Sequence, residues 1–145
     1  GDMITPEGNI VGKHTGLAYY TLGQRKGLGI GGGKGGETDA WFVADKDLVN
    51  NRLIVVQGHQ HPALLKHHLT AEQLSWCHLA PKQGMLLTAK VRYRQPAQAC
   101  TIIAITDQKL ELFFHDPQRA ITPGQSVVLY DQDICLGGAI ITMAN

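Results

Sequence analysis

Four consecutive residues, Arg92-Tyr93-Arg94-Gln95, combine side chains suited to single-stranded RNA. A guanidinium pairs with phosphate or stacks on a base, a tyrosine ring offers a π-face, and a glutamine amide reads a base edge. A solvated Lys-x-Arg-x-Arg strand face has the same composition, so the tetrapeptide gains weight only from its surroundings. Those are basic. Residues 48–106 hold six Lys/Arg against Glu72, a net +5, whereas residues 1–47 net −1 and residues 107–145 net −3. A basic middle between neutral and acidic flanks indicates an anionic partner on one face.

The other chemistry-bearing residues point less clearly. The loop Gly23–Gly36 contains eight glycines and matches G-x-G-x-x-G twice, at Gly27, Gly29, Gly32 and at Gly31, Gly33, Gly36. A dinucleotide fingerprint needs a helix opening after it, but here E-T-D-A-W-F-V reads as a strand. A Walker loop fails too, because Lys34 is followed by Gly35 and the upstream glycine position holds Leu28. A basic clamp on a phosphate backbone or another domain, through Arg25, Lys26 and Lys34, fits better. His59, His61, His67 and His68 are split by a proline-containing loop with nothing to orient them, so no metal site is expected. Cys77 adjoins His78, but neighbours on a strand face opposite ways. Cys100 and Cys135 fall in apolar strands, where a buried thiol is inert. Neither a Ser–His–Asp arrangement nor a carboxylate pair stands out, so no catalytic residue is expected in this chain.

These residues need elements to position them. A length of 145 residues suits one ordinary domain or two small ones, and 43% hydrophobic against 17% charged residues favours a packed core over disorder. No apolar run nears the ~18 residues of a membrane helix, and no secretory leader is seen. Three widely spaced cysteines exclude a disulfide framework and suggest a reducing compartment. Periodic structure near the N-terminus is expected only at Ile10–Gly12 and Leu17–Leu22. Trp41–Asp45 and Arg52–Gln57 then read as a hairpin turned by Asp47–Asn51. A polar, proline-containing break at His59–His68, with one helical turn near Ala63–Lys66, separates two domains, 1–62 and 63–145. Beyond it, strands are expected at His68–Trp76, Met85–Tyr93, Ala99–Ile105, Lys109–His115, Ser126–Tyr130 and Ile134–Thr142. In Met85–Tyr93, alternation places Lys90 and Arg92 on one face and Ala89, Val91 and Tyr93 on the other. The fold class is all-β: a small β-rich domain followed by an antiparallel β-barrel.

Together these segments resemble a known family. Y-T-L-G-Q-R-K-G-L-G-I-G-G (Tyr20–Gly32) is similar to the signature of the central domain of tRNA-specific 2-thiouridylases. R-Y-R-Q, T-P-G-Q-S (Thr122–Ser126) and C-L-G-G-x-I-I (Cys135–Ile141) resemble the marks of that family's C-terminal barrel. The likeness covers essentially the whole chain in order and spacing, although the run of glycines around Lys34 is longer than the family pattern. Members are often labelled methyltransferases, but no methyl-donor motif is present. The resemblance implies sulfur transfer to C2 of the wobble uridine of Lys, Glu and Gln tRNAs. ATP adenylates the C2 oxygen, and a cysteine persulfide charged by a sulfur-carrier protein delivers the sulfur. In the family this chemistry belongs to an N-terminal domain with an S-G-G-x-D-S loop, which does not occur here. The chain is therefore expected to be a C-terminal, tRNA-binding fragment that is inactive alone, cytoplasmic and monomeric. Its ATP is expected on the missing domain, and Cys77, Cys100 and Cys135 do not inherit the catalytic role. The implied tRNA contacts are Arg92, Tyr93 and Gln125, the last presented at the barrel rim by a Pro123–Gly124 turn. Arg25, Lys26 and Lys34 would meet either tRNA or the catalytic domain. The rival reading is a protein-interaction module whose basic face docks an acidic partner such as the sulfur carrier.

Overall fold

A computed structural model describes residues 1–30 and 40–145. It divides into two compact units, Gly1–Leu65 and Lys66–Asn145. Among the described residues no helix is long and apolar enough to cross a membrane. Lys34 and the glycines around it lie outside the described residues.

The first unit is a four-stranded sheet in the order β2-β1-β4-β3. Its expected hairpin forms as β3 (Trp41–Asp47) and β4 (Arg52–Gln57). The turn works as its residues dictate. The Asp47 carboxylate accepts from the Asn50 backbone N–H (3.1 Å) and side-chain amide (2.8 Å), and Asn51 takes a left-handed φ of 55°. Short β1 (Asp2–Ile4) has no legible periodicity. It is a strand because Met3 is fully buried opposite Leu53 of β4, in a parallel pairing that hydrophobic spacing does not announce. Antiparallel to it runs β2 (Ile10–Lys13). Leu17–Tyr19 forms a single 3-10 turn. His14 is buried with both ring nitrogens engaged: Nε2 donates to the Asn51 carbonyl (2.9 Å) and Nδ1 accepts from the Gly16 N–H (3.1 Å). A second 3-10 turn, Pro62–Leu64, is capped by His61, whose Nδ1 accepts from the Ala63 N–H.

The second unit is a closed barrel of six strands, ordered β10-β5-β8-β7-β6-β9. Its strands are β5 (Leu65–Trp76), β6 (Leu86–Lys90), β7 (Gln98–Ile105), β8 (Lys109–Arg119), β9 (Ser126–Asp131) and β10 (Ile134–Ala144). Inward residues of every strand, among them Leu69, Ala89, Cys100, Leu112, Phe114, Val127, Leu129 and Ile141, make one core. The hairpins β6–β7, β7–β8 and β9–β10 join neighbours. The connections β5–β6 and β8–β9 join strands three places apart around the ring, so each must cross an end of the barrel. The β8–β9 crossing, residues 120–125, drops Ile121 into the core at 2% exposure.

Gly137 and Gly138 of the C-L-G-G segment are packing devices. Gly138 lets β10 approach β9 so closely that a Cβ would stand 2.5 Å from the Val127 carbonyl oxygen. Gly137, at φ 136°, leaves no room beside the Trp76 Cα, 2.8 Å from where a Cβ would lie. Side chains there would force the strands apart.

Three expectations need correction. Strand β6 ends at Lys90, and Arg92–Gln95 close a turn in which the Gln95 N–H donates to the Arg92 carbonyl (3.2 Å). Tyr93 therefore leaves the face it would share with Ala89 and Val91 and stands 95% exposed. Cys77 lies just past the end of β5 rather than on a strand. Cys135 is exposed, because the register of β10 against β9 shifts between Cys135 and Gly137 and turns it outward.

Two outcomes follow from this packing. Replacing Ile121 by alanine should cost about 2–4 kcal/mol in chemical denaturation, whereas the same truncation of exposed Ile134 should stay within about 0.5 kcal/mol. Cys100 is fully buried, and burial pushes its thiol up to about 11. In the folded chain at pH 8, iodoacetamide should label Cys77 and Cys135 and reach Cys100 only after unfolding. Because an unfolded thiol ionises first, near 9.0, Cys100 should also erode stability as pH rises from there towards 11.

Candidate nucleic-acid interface

The turn after β6 and the crossing before β9 meet at one end of the barrel. Register explains why: Lys90 pairs with Val128 and Ala89 with Leu129, so the end of β6 lies beside the start of β9. Arg92 spans the junction, its Nη2 donating to the Ala120 carbonyl at 3.2 Å. The same carbonyl accepts from the Thr122 hydroxyl at 2.9 Å. Ala120 holds a left-handed φ of 53°, unusual for a residue with a Cβ, and the two donors secure it. Next in the chain, Pro123 and Gly124 (φ 91°) form the middle of a turn closed by the Gln125 N–H on the Thr122 carbonyl (3.2 Å). Gly124 and Gln125 are then stitched to Ile141 of β10 by backbone bonds of 2.7 and 2.8 Å.

The result is an open depression of about 420 Å³ lined by Lys90, Arg92, Tyr93, Gln125, Ser126 and Tyr130, with Val91 and Val128 as its apolar floor. Residues 32 positions apart, Tyr93 and Gln125, thus share one recess. The Lys90 ammonium lies 5.5 Å from the centre of the Tyr130 ring. Tyr130 was not singled out from the sequence. The signal was there in V-V-L-Y, whose alternation sets Val128 and Tyr130 on the outer face that Lys90 shares. Arg119 was also missed. It is half-buried, and burial first, then the nearby Arg92 charge, hold its guanidinium below the usual arginine range. Gln95 differs from the base-reading role suggested by its type, because its Oε1 is turned into the protein and buried. A larger depression of about 710 Å³ lies elsewhere on the barrel, between Glu72–Leu74 and Thr106–Lys109. It sets the carboxylates Glu72 and Asp107 against Lys109 alone, so it lacks the positive charge of the smaller recess.

In the first unit, the segment Gly23–Ile30 is a folded loop. Its Gly23 N–H donates to the Val43 carbonyl (2.7 Å) and the Val43 N–H to the Gln24 carbonyl (2.9 Å). The Gln24 side chain accepts from Thr21 and donates to the Lys26 carbonyl, both at 2.9 Å. Leu28 anchors the loop in the core with Met3, Tyr20 and Val43. Arg25 and Lys26 are left exposed at its tip. The described part of the loop packs on a strand and opens no helix.

Three of the four histidines singled out from the sequence make contacts within the fold. His61 caps a turn, His59 sets its edge on Phe42 at 5.8 Å, and His67 stacks on Phe113 (5.2 Å) while its Nδ1 donates to the Phe114 carbonyl (2.8 Å). Among the described residues no three His, Cys, Asp or Glu side chains are grouped to hold a metal.

Comparison with known proteins agrees with this organisation. Residues 1–57 match the tRNA methyl transferase PRC-barrel domain and residues 66–141 the aminomethyltransferase β-barrel domain. Over 97% of its length the chain is 61% identical to the tRNA-specific 2-thiouridylase MnmA of Thiobacillus denitrificans, and 58% identical to that of Cupriavidus taiwanensis. The identity to the enzyme of the same name from Salmonella typhimurium is 54%. The chain spans 39–40% of the length of these relatives. On the two domain matches and these identities, the chain belongs to the tRNA-specific 2-thiouridylase family.

Proposed function

We propose that this chain is the tRNA-binding region of a cytoplasmic, monomeric enzyme that places sulfur on C2 of the wobble uridine of Lys, Glu and Gln tRNAs. The observation that carries this reading is the convergence of Arg92, Tyr93, Gln125 and Lys90 on one recess at a barrel end. Each supplies a different part of RNA recognition. Lys90 and the remaining N–H groups of Arg92 attract phosphate, Tyr93 stacks on an unpaired base, and Gln125 offers an amide to a base edge. Exchange of the C2 oxygen for sulfur requires activation by ATP and a persulfide supplied through a sulfur-carrier protein. Neither finds a fitting site among the residues described, so that chemistry is proposed for the part of the relatives that lies outside this chain. What these residues do is grip and orient the RNA.

Arg92 has two roles, since it also holds the Ala120 carbonyl, and its loss would weaken both fold and binding. Tyr93 is the cleaner probe because its ring is almost wholly exposed. Titrating a labelled Lys tRNA transcript, Tyr93→Ala should weaken binding by about 1–3 kcal/mol with an unchanged melting temperature. Gln125→Ala should cost about 1 kcal/mol. Unaltered affinity in a normally folded Tyr93→Ala variant would sink the assignment, and displacement by an acidic carrier protein but not by tRNA would favour a protein-docking face.

A further inference from the structure

The barrel is electrically one-ended, and antiparallel topology is what makes it so. Pairing of Ala144 with Leu69, Ile140 with Ser126 and Lys90 with Val128 sets the start of β5, the end of β10, the start of β9 and the end of β6 at one end. Cys100 opposite Phe114 and Ala89 opposite Gln98 add the start of β7 and the end of β8. That end therefore carries Lys66, Lys90, Arg92, Arg94 and Arg119, against the one side-chain carboxylate of Asp116 among the described residues. The opposite end carries Asp107 in one hairpin turn and Asp131 and Asp133 at another, against Lys82 and Lys109. In sequence only Lys90, Arg92 and Arg94 stand close together; Lys66 and Arg119 lie more than twenty residues to either side of them.

The basic end is also the one that the 120–125 crossing spans, with Arg119 at its root on β8 and Gln125 at its tip on β9. Arg92 bonds to Ala120, the residue next to Arg119, and lies near enough for its charge to act on the Arg119 guanidinium. Arg94 projects, exposed, from the same turn as Tyr93, and Lys66 begins β5, the strand beside β8 in the ring.

From this placement we infer that the RNA footprint does not stop at the recess: the phosphate backbone runs across the barrel mouth along the 120–125 crossing, held by Arg119 and Arg94 beside Arg92 and reaching Lys66. The inference rests on the tRNA-binding reading above and deepens it. The far end sets its aspartates against Lys82 and Lys109 and offers a polyanion no comparable attraction, so the basic end is the favoured approach. Each cation that neutralises a phosphate releases counterions and adds to the salt dependence of binding.

The test is a titration of the 145-residue chain with an unmodified Lys tRNA transcript at several salt concentrations. Arg94→Gln, Lys66→Gln and Arg119→Gln should each weaken binding about threefold or more and flatten the log–log salt slope by about 0.7–0.9. Lys82→Gln removes the same charge from the opposite end and should leave the slope unchanged. Arg94 is exposed, so its variant keeps the test valid if the half-buried Arg119 variant folds poorly. If Tyr93→Ala weakens binding but the Arg94 and Lys66 variants keep the wild-type slope, the footprint is confined to the recess and the inference fails. An equal effect of Lys82→Gln would overturn it as well, by showing that only net charge matters. If the wild-type chain does not bind the transcript, or Tyr93→Ala has no effect, the underlying tRNA-binding reading itself fails.

Discussion

The architecture of the interface follows from closing a six-stranded barrel with a connection that must cross its own mouth. Strands β8 and β9 lie on opposite sides of the ring, so residues 120–125 cannot hug the rim. They are held across it by burying Ile121 in the core and by presenting the Ala120 carbonyl to Arg92 and Thr122. A charge-assisted bond of that kind contributes about 1.5–3 kcal/mol, enough to offset a single left-handed alanine at roughly 1–2 kcal/mol. Every residue assigned to RNA in the barrel stands on one of the two segments this bond ties together, or on a strand end beside them. Rigid strands below and a pinned crossing above leave Tyr93 and Gln125 on defined supports, so little ordering is needed when a ligand arrives.

The signature segments divide into two kinds by what their residues touch. C-L-G-G and the segment Gly23–Ile30 are about close packing: the first allows β10 to lie against β5 and β9, and the second is stitched to β3 through Gln24 and Leu28. R-Y-R-Q and T-P-G-Q-S instead lie at the surface, where most of their side chains make no core contact. Within R-Y-R-Q the division is sharper still. Arg92 and Gln95 turn towards the protein, and Tyr93 and Arg94 turn away from it, because a turn rather than a strand carries them.

Much of this was legible in the chain itself. Alternating apolar residues marked all six barrel strands to within a few positions, because a half-buried strand needs side chains of opposite character on its two faces. Asp47–Asn51 announced the first hairpin through side chains that tolerate left-handed backbone, and Pro123–Gly124 announced the turn that carries Gln125. The run Arg92–Gln95 was recognisable as RNA-suited chemistry from residue types alone. Local rules gave out where a partner distant in sequence decides. Met3 is in a strand only because Leu53 lies beside it, Cys135 faces outward only because the register shifts, and Tyr93 is free only because β6 stops early.

The sequence by itself thus determined the all-β class, the six barrel strands and the residue types in R-Y-R-Q and T-P-G-Q-S that suit RNA, since periodicity and turn chemistry act over a few residues. Tertiary structure alone decided that Arg92 and Gln125 share a recess, that Arg119 joins them, and that one barrel end is basic while the other is not. Those facts depend on which strands are neighbours around a closed ring. Ring order is set by the global burial of fifteen core side chains, not by any local propensity.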